Sequence, residues 1–297
     1  MLKKRLTLFL CAAMLAMLPA CAVRAKTDSN AASTQQPRII STSAALCMIL
    51  DKLELDLVGV PDTAFALPER YKDSVQIGQP MTPDLEIIKS LRPTDVISPN
   101  TLQYDLKPQY EGIQVPATFV NLGSVEGMLK STEQLGVKYN RTKQAEVLRQ
   151  QFEAYMAELR TDIADQAKPK VLILMGLPGS YMVATEKSYA GNLVKLAGGD
   201  NVLKDQEEAL LTLNTEALSK LDPDIILRTS HAMPEMVQEM FREEFATSDI
   251  WKHFRAVQAG DVYDLSNERF GMSANLNYQE ALDELRAIFY GEPAHES

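Results

Sequence analysis

The sequence is poor in the residues from which most catalytic and metal centres are built. Its 297 residues include three cysteines, three histidines and one tryptophan. Cys11 lies inside an apolar N-terminal run and Cys21 follows directly behind it, so Cys47 alone is left for a folded body. One thiol closes no intramolecular disulfide, and no cysteine pair has metal-ligand spacing. No nucleophile elbow, phosphate loop, dinucleotide fingerprint or zinc-helix motif occurs. Gly198-Gly199-Asp200 is a helix stop, not a phosphate cradle. Positive charge is also scarce, with 30 basic against 40 acidic residues. That balance excludes a nucleic-acid partner, which needs a basic footprint, and electrostatic adhesion to anionic lipid.

The N-terminus carries what positive clustering there is. Lys3, Lys4 and Arg5 precede an apolar stretch from Leu6 to Leu18, the pattern of an export signal and too short for a membrane span. Leu18-Pro19-Ala20-Cys21 resembles the bacterial lipobox, which implies removal of residues 1–20 and a lipid on Cys21 that attaches the chain to a membrane. Taking the leader's three basic residues from the 30 leaves 27 against 40 acidic, a formal net charge of −13. Residues 21–36 are small, polar and aperiodic, a flexible tether. Cys47 sits in the apolar run 44–50 and is expected in the core.

The body is organised around a near-repeat. Residues 86–97 (EIIKSLRPTDVI) and 216–227 (EALSKLDPDIIL) share glutamate, leucine, proline and a closing aliphatic pair at one offset. Each copy reads as a short helix, a proline stop and a buried strand. Strands are predicted at 38–41, 57–61, 95–98 and 117–120, with a brief extended piece at 75–78. Helices are predicted from Thr42 or Ser43 to Lys52, from Pro83 to Leu91 and over 124–136. Residues 141–167 contain no Gly or Pro and space Val147, Leu148, Phe152, Tyr155, Met156, Leu159 and Ile163 as one long amphipathic helix. The second half opens on the strand 170–175, turns at Gly176 and Pro178-Gly179, and pairs back through 181–184. Helices at 189–197, 234–245 and 276–289 and a late strand at 261–265 complete it. Alternating strand and helix predicts an α/β protein of two similar parallel-sheet lobes joined by one long helix. The expected organisation is an N-terminal lobe over 37–138, the connecting helix over 139–168 and a C-terminal lobe over 169–297, with the last residues frayed.

Few residues are placed to carry chemistry. His295 falls in the tail, and His253 beside Trp251 reads as a packing or surface residue. His231 is different, because the strand through Ile225, Ile226 and Leu227 delivers it to the carboxyl end of a parallel sheet, where ligands of open α/β sheets gather. Met81 lies between Pro80 and Thr82-Pro83, in a proline-bracketed loop of the other lobe. A thioether from one side and an imidazole from the other suit haem iron and suit zinc poorly.

Together the lipobox, Pro37-Arg38-Ile39-Ile40, Asp84-Leu85-Glu86-Ile87-Ile88 with Leu91-Arg92-Pro93, the long helix and the Glu216 copy resemble the substrate-binding proteins of ABC importers for cobalamin, siderophores and haem. Within these, GQPMTPDLE around Met81 and LRTSHAMPE around His231 resemble the iron-regulated surface-determinant haem-receptor lipoproteins of Gram-positive bacteria. The resemblance implies a helical-backbone binding-protein fold that catalyses nothing and carries haem (iron protoporphyrin IX) as cargo, with Met81 and His231 as axial ligands. It implies an ABC permease gripping Glu86 on one lobe and Glu216 on the other, an upstream haem-donor surface protein, lipid attachment at Cys21 and a monomeric carrier. The helix start at Thr42-Ser43 offers N–H groups to the haem propionates. Met233 and Met272 are open alternatives to Met81. A ferric siderophore or cobalamin is the alternative cargo. A haem-modifying enzyme is the alternative of another class, disfavoured by the missing acid/base constellation.

Overall fold

A computed structural model describes residues 36–291. The export segment, Cys21, nearly all of the tether and His295 lie outside the described residues. The first lobe runs β1 (Ile39–Ser41), α1 (Ala44–Lys52), β2 (Leu57–Val60), β3 (Val75–Gln76), β4 (Gly78–Gln79), β5 (Thr82–Pro83), α2 (Leu85–Ser90), β6 (Asp95–Pro99), α3 (Gln103–Gly112), β7 (Ala117–Val120) and α4 (Val125–Lys138). Helix α5 (Thr142–Asp162) leads to the second lobe. That lobe runs β8 (Lys170–Leu177), β9 (Ser180–Ala184), α6 (Tyr189–Leu196), β10 (Asp200–Asn201), β11 (Leu210–Leu211), α7 (Thr215–Ser219), β12 (Ile225–Ser230), α8 (Pro234–Thr247), α9 (Asp249–Lys252), α10 (Arg255–Ala259), β13 (Val262–Asp264), α11 (Asn267–Phe270) and α12 (Tyr278–Tyr290).

Each lobe holds one main sheet, and the first lobe also holds the two-stranded β4-β5. The first has the order β3-β2-β1-β6-β7 and is parallel throughout. The second has the order β11-β9-β8-β12-β13, with β10 also on β8; its β8, β12 and β13 are parallel, while β9 pairs back antiparallel on β8. The near-repeat is visible as matching hydrogen bonds at the residue after each repeat proline. In the first lobe Arg38 donates its N–H to Thr94 Oγ1 at 3.0 Å and accepts from Thr94 N–H at 2.8 Å. In the second, Lys170 donates to Asp224 Oδ2 at 2.9 Å and accepts from Asp224 N–H at 2.8 Å. The same clamp thus sets the register between the first strand and the repeat strand in both lobes.

Strand periodicity divides the core into three parts. Side chains alternate across a strand, so Ile39, Val171 and Ile173 enter one cluster while Ile40, Leu172 and Leu174 face outer clusters. The shared cluster runs through both lobes and includes Met128 of α4, Met156 and Leu159 of α5, Leu193 of α6 and Leu282 and Leu285 of α12. Cys47 is fully buried within it, and burial pushes its thiol up to about 12.

Four local features differ from the sequence reading. The helix after Met81 begins at Leu85, because Asp84 caps it by accepting from the N–H groups of Glu86 and Ile87, and Pro83 belongs to β5. Helix α5 ends at Asp162, five residues short of the expected end, where the N–H of Ile163 closes onto Leu159 and Thr161 and its side chain packs on the core. Helix α3, which contains Pro108, lies where no element is predicted; burial of Leu106 and Tyr110, one turn apart, holds it in place. The terminal helix starts at Tyr278, two residues after Leu276.

Candidate functional site

The parallel strands of each lobe bring the loops that leave their carboxyl ends to one edge. Those two edges are tied together. The N–H of Ala274, beyond β13, donates to the carbonyl of Leu122, beyond β7, at 2.8 Å. Asn192 of α6 accepts from Val125 N–H at 2.9 Å and donates to Glu126 at 3.0 Å, both at the start of α4.

Met81 sits at the tip of a short hairpin on the first edge. Gly78 pairs with Pro83 and Gln79 with Thr82, leaving Pro80 and Met81 as the turn. The hairpin is anchored by Gly78 accepting from Asp62 N–H at 2.9 Å and by Asp84 N–H donating to Ile77 at 2.7 Å. Gly78 has a φ of 88°, a left-handed conformation that glycine adopts without cost. With both flanks pinned, the tip holds the Met81 side chain 63 % exposed.

His231 stands on the second edge, directly after β12. Its N–H donates to Gly176 O at 3.0 Å, so the strand's end is locked to the end of β8. Gly176 is required by close packing: a Cβ there would lie 2.2 Å from Val237 and 2.8 Å from Phe241 of α8. The imidazole is exposed and has no hydrogen-bond partner among the described residues. Met233 follows in a left-handed conformation, φ 49° and ψ 59°, which costs a non-glycine residue about 1 kcal/mol. Below the site, Arg228 on β12 is braced by a two-pronged pair with Asp264, at 2.8 and 2.7 Å, and lies over the rings of Phe241 and Phe245.

Exposed apolar side chains concentrate on these edges. Of the nine large ones among the described residues, Phe65, Met81, Tyr104, Met233, Met236 and Met272 lie in segments leaving the carboxyl ends of parallel strands; Val75, Val137 and Val147 do not. All four exposed methionines belong to that set. Phe65, Tyr104 and Met236 were not singled out from sequence. Their signal was available only as large apolar residues directly after predicted strands, a pattern with no power until exposure is known.

Thr42 and Ser43 have different environments. Thr42 is fully buried and its hydroxyl bonds Ile97 O and Ser98, so it has no hydroxyl to offer a ligand. Ser43 caps α1 by accepting from Leu46 N–H at 3.3 Å. The N–H groups of Ala44 and Ala45 have no acceptor among the described residues, and the first turn contains no acidic residue. Glu86 and Glu216 occupy equivalent positions, two residues after the caps Asp84 and Asn214 of α2 and α7. Both are exposed, and Glu216 pairs with Lys220 at 2.7 Å. His253 is exposed at the end of α9. A polar recess between α5 and α12 is lined by Tyr155, Glu158, Asp162, Asp283 and Arg286, in which Arg286 pairs with Asp162 and Tyr155 donates to Asp283, each at 2.9 Å.

Two α/β lobes with a helical connection and a ligand-type edge on each define a substrate-binding protein. The chain belongs to the periplasmic binding protein family, whose pattern matches residues 39–268. It is 47 % identical over 254 residues to the high-affinity heme uptake system protein IsdE of Staphylococcus aureus, covering 85 % of this chain and 87 % of that one. The crystal structure of S. aureus IsdE complexed with heme matches with a TM-score of 0.82 and 46 % identity, over 86 % of this chain and 99 % of that one. An ABC transporter substrate-binding protein from Listeria monocytogenes EGD-e matches with a TM-score of 0.83 and 47 % identity, over 87 % and 100 % of the two chains.

Proposed function

We propose that this chain is an extracytoplasmic haem-binding protein that delivers haem to an ABC permease, with Met81 and His231 as the axial ligands. It binds and releases its cargo and performs no catalysis. The observation that carries the ligand assignment is one exposed iron-type donor on the carboxyl edge of each lobe: a thioether at a pinned hairpin tip and an imidazole free of hydrogen bonds among the described residues. Such a pair meets iron from opposite faces of a flat macrocycle. The exposed methionines and aromatics around them offer the apolar, polarisable contacts that a porphyrin face requires. Met233 and Met272 share the His231 edge, which makes them worse partners for a ligand pair approaching from two sides.

The propionates are assigned to the start of α1, where Ala44 and Ala45 N–H groups are free and Ser43 stands beside them. The permease is assigned to Glu86 and Glu216, one on each lobe at the same place in the duplicated unit. Cys21 is assigned the lipid that keeps the carrier at the membrane; no helix among the described residues is long and apolar enough to cross one. A haem-donor surface protein upstream completes the route.

The decisive measurement is an absorption titration with haem. A Soret band saturating at one equivalent is expected, with altered spectra in His231→Ala and Met81→Ala. Absence of a Soret shift at stoichiometric haem overturns the reading, and tight binding of a ferric siderophore or cobalamin in its place would assign the alternative cargo.

A further inference from the structure

We infer that Asn192 is a clasp between the lobes that sets the separation of the two ligand-bearing edges and so governs haem release; the haem part of this inference rests on the function proposed above. Asn192 is on α6 of the second lobe and is 9 % exposed. Its side chain reaches the first turn of α4 in the first lobe, where Oδ1 accepts from Val125 N–H at 2.9 Å and Nδ2 donates to Glu126 Oε2 at 3.0 Å. One amide group therefore supplies both an acceptor and a donor across the seam, a combination that neither a carboxylate nor an ammonium provides.

The clasp is rigid on both sides. Ser188 caps α6 by accepting from Gly191 N–H at 2.9 Å and donates its own hydroxyl to Thr185 O at 2.8 Å. Residue 191 must be glycine, since a Cβ there would come within 2.0 Å of Thr185 O. The first turn of α6 is thereby pressed onto the backbone, which fixes the direction of Asn192. On the facing side Ser124 caps α4 by accepting from Gly127 N–H at 3.0 Å. The other hydrogen bond across the seam among the described residues is the backbone bond from Ala274 to Leu122, three residues before Val125, above the apolar cluster the lobes share. Leu122 follows the parallel strand β7 and Ala274 follows β13, so the seam joins the two edges that carry Met81 and His231. Relaxing it changes how far apart those two residues are held. Asn192 is a positioning residue in this account and touches neither iron nor porphyrin.

The test exploits the polarity of the amide. Asn192→Asp keeps the acceptor for Val125 N–H but sets a carboxylate against that of Glu126, and adding Glu126→Gln restores a donor facing an acceptor at unchanged net charge. Two quantities are measured: hydrogen exchange of the Ala274 amide, which does not touch Asn192, and haem transfer to an excess of apomyoglobin. In Asn192→Asp both are expected to be about tenfold faster, and the double variant to return both close to wild type. The axial-ligand absorption spectrum is expected to stay that of the wild type, because neither ligand is altered. The clasp is refuted if Ala274 exchanges at the wild-type rate in Asn192→Asp, or if Glu126→Gln fails to restore it. Should the wild-type protein bind no haem, the proposed function fails, while the Ala274 exchange still decides the clasp.

Discussion

The two lobes are built on the same repeat and clamped by the same pair of hydrogen bonds, one backbone and one to a side chain, yet they support their candidate ligands in different ways. Met81 rides on a two-residue hairpin turn whose strands contribute one residue pair each side. His231 ends a six-residue strand that is buried throughout, pairs on both edges and is braced by Arg228 beneath. Though pinned at its base, the hairpin rests on two residue pairs and is the more compliant support; the sheet strand is the stiffer. On the proposed ligation, the stiff side would define where iron sits and the compliant side would let go first.

The contrast yields a graded set of expected outcomes. His231→Ala should weaken haem binding the most, by about a hundredfold in Kd, since the donors left on that edge, the thioethers of Met233 and Met272, are poorer ligands than a positioned imidazole. Arg228→Ala should lower the unfolding free energy by about 1–2 kcal/mol, read by urea denaturation, because it empties the space over Phe241 and Phe245 and removes the two hydrogen bonds to the exposed Asp264. Met81→Ala should cost only about tenfold in Kd, with a spectrum changed toward single-sided ligation. Losses of equal size at Met81 and His231 would sink the stiff-and-compliant distinction. Charge reversal at Glu86 and Glu216 together should abolish uptake in cells while Kd for haem stays within about twofold; a large fall in affinity would instead place these glutamates in the binding cleft. The smallest effect is at Cys47. Its thiol is fully buried and raised to about 12, so at pH 8 the folded protein should resist a thiol reagent that labels it promptly in urea.

A second comparison concerns the starts of α1 and α4, each of which follows the carboxyl end of a parallel strand. Helix α1 leaves two N–H groups open and carries no acidic residue in its first turn. Helix α4 has Val125 N–H occupied by Asn192 and carries Glu126 at the same level. One helix start is therefore open to a carboxylate, and the other is closed by the opposite lobe. In the sequence Ser43 and Ser124 are equivalent caps that differ only in the acidic Glu126 behind the second, and the occupation of Val125 N–H by the opposite lobe is visible only in the fold.

Much of the framework was legible beforehand because it rests on local rules. Uninterrupted apolar runs at 39–40 and 171–174 mark strands buried on both faces, and the Gly- and Pro-free stretch after Asn140 marks the connecting helix. The repeat at 86–97 and 216–227 marked the duplication, and its two glutamates do occupy equivalent turns. Errors came where tertiary contacts overrode propensity. Pro83 looked like a helix opener, but Asp84 captured the cap and left the proline in a hairpin. No element is predicted over 103–112, where burial of Leu106 and Tyr110 outweighs the one hydrogen bond that Pro108 removes. Thr42 and Ser43 looked interchangeable, and only their surroundings showed one hydroxyl spent in the core and the other at a helix start.

By itself the sequence determined the α/β class, the duplicated unit, the buried thiol and the two residues worth testing as iron ligands. These follow from periodicity, composition and residue chemistry, which act over a few neighbouring positions. Tertiary structure alone decided which helix start is open, which side chain closes the other, and that every exposed methionine among the described residues lies on the edge where cargo would sit. Exposure and cross-lobe hydrogen bonds depend on residues as far apart as Val125 and Asn192, or Leu122 and Ala274, and no local pattern encodes their meeting.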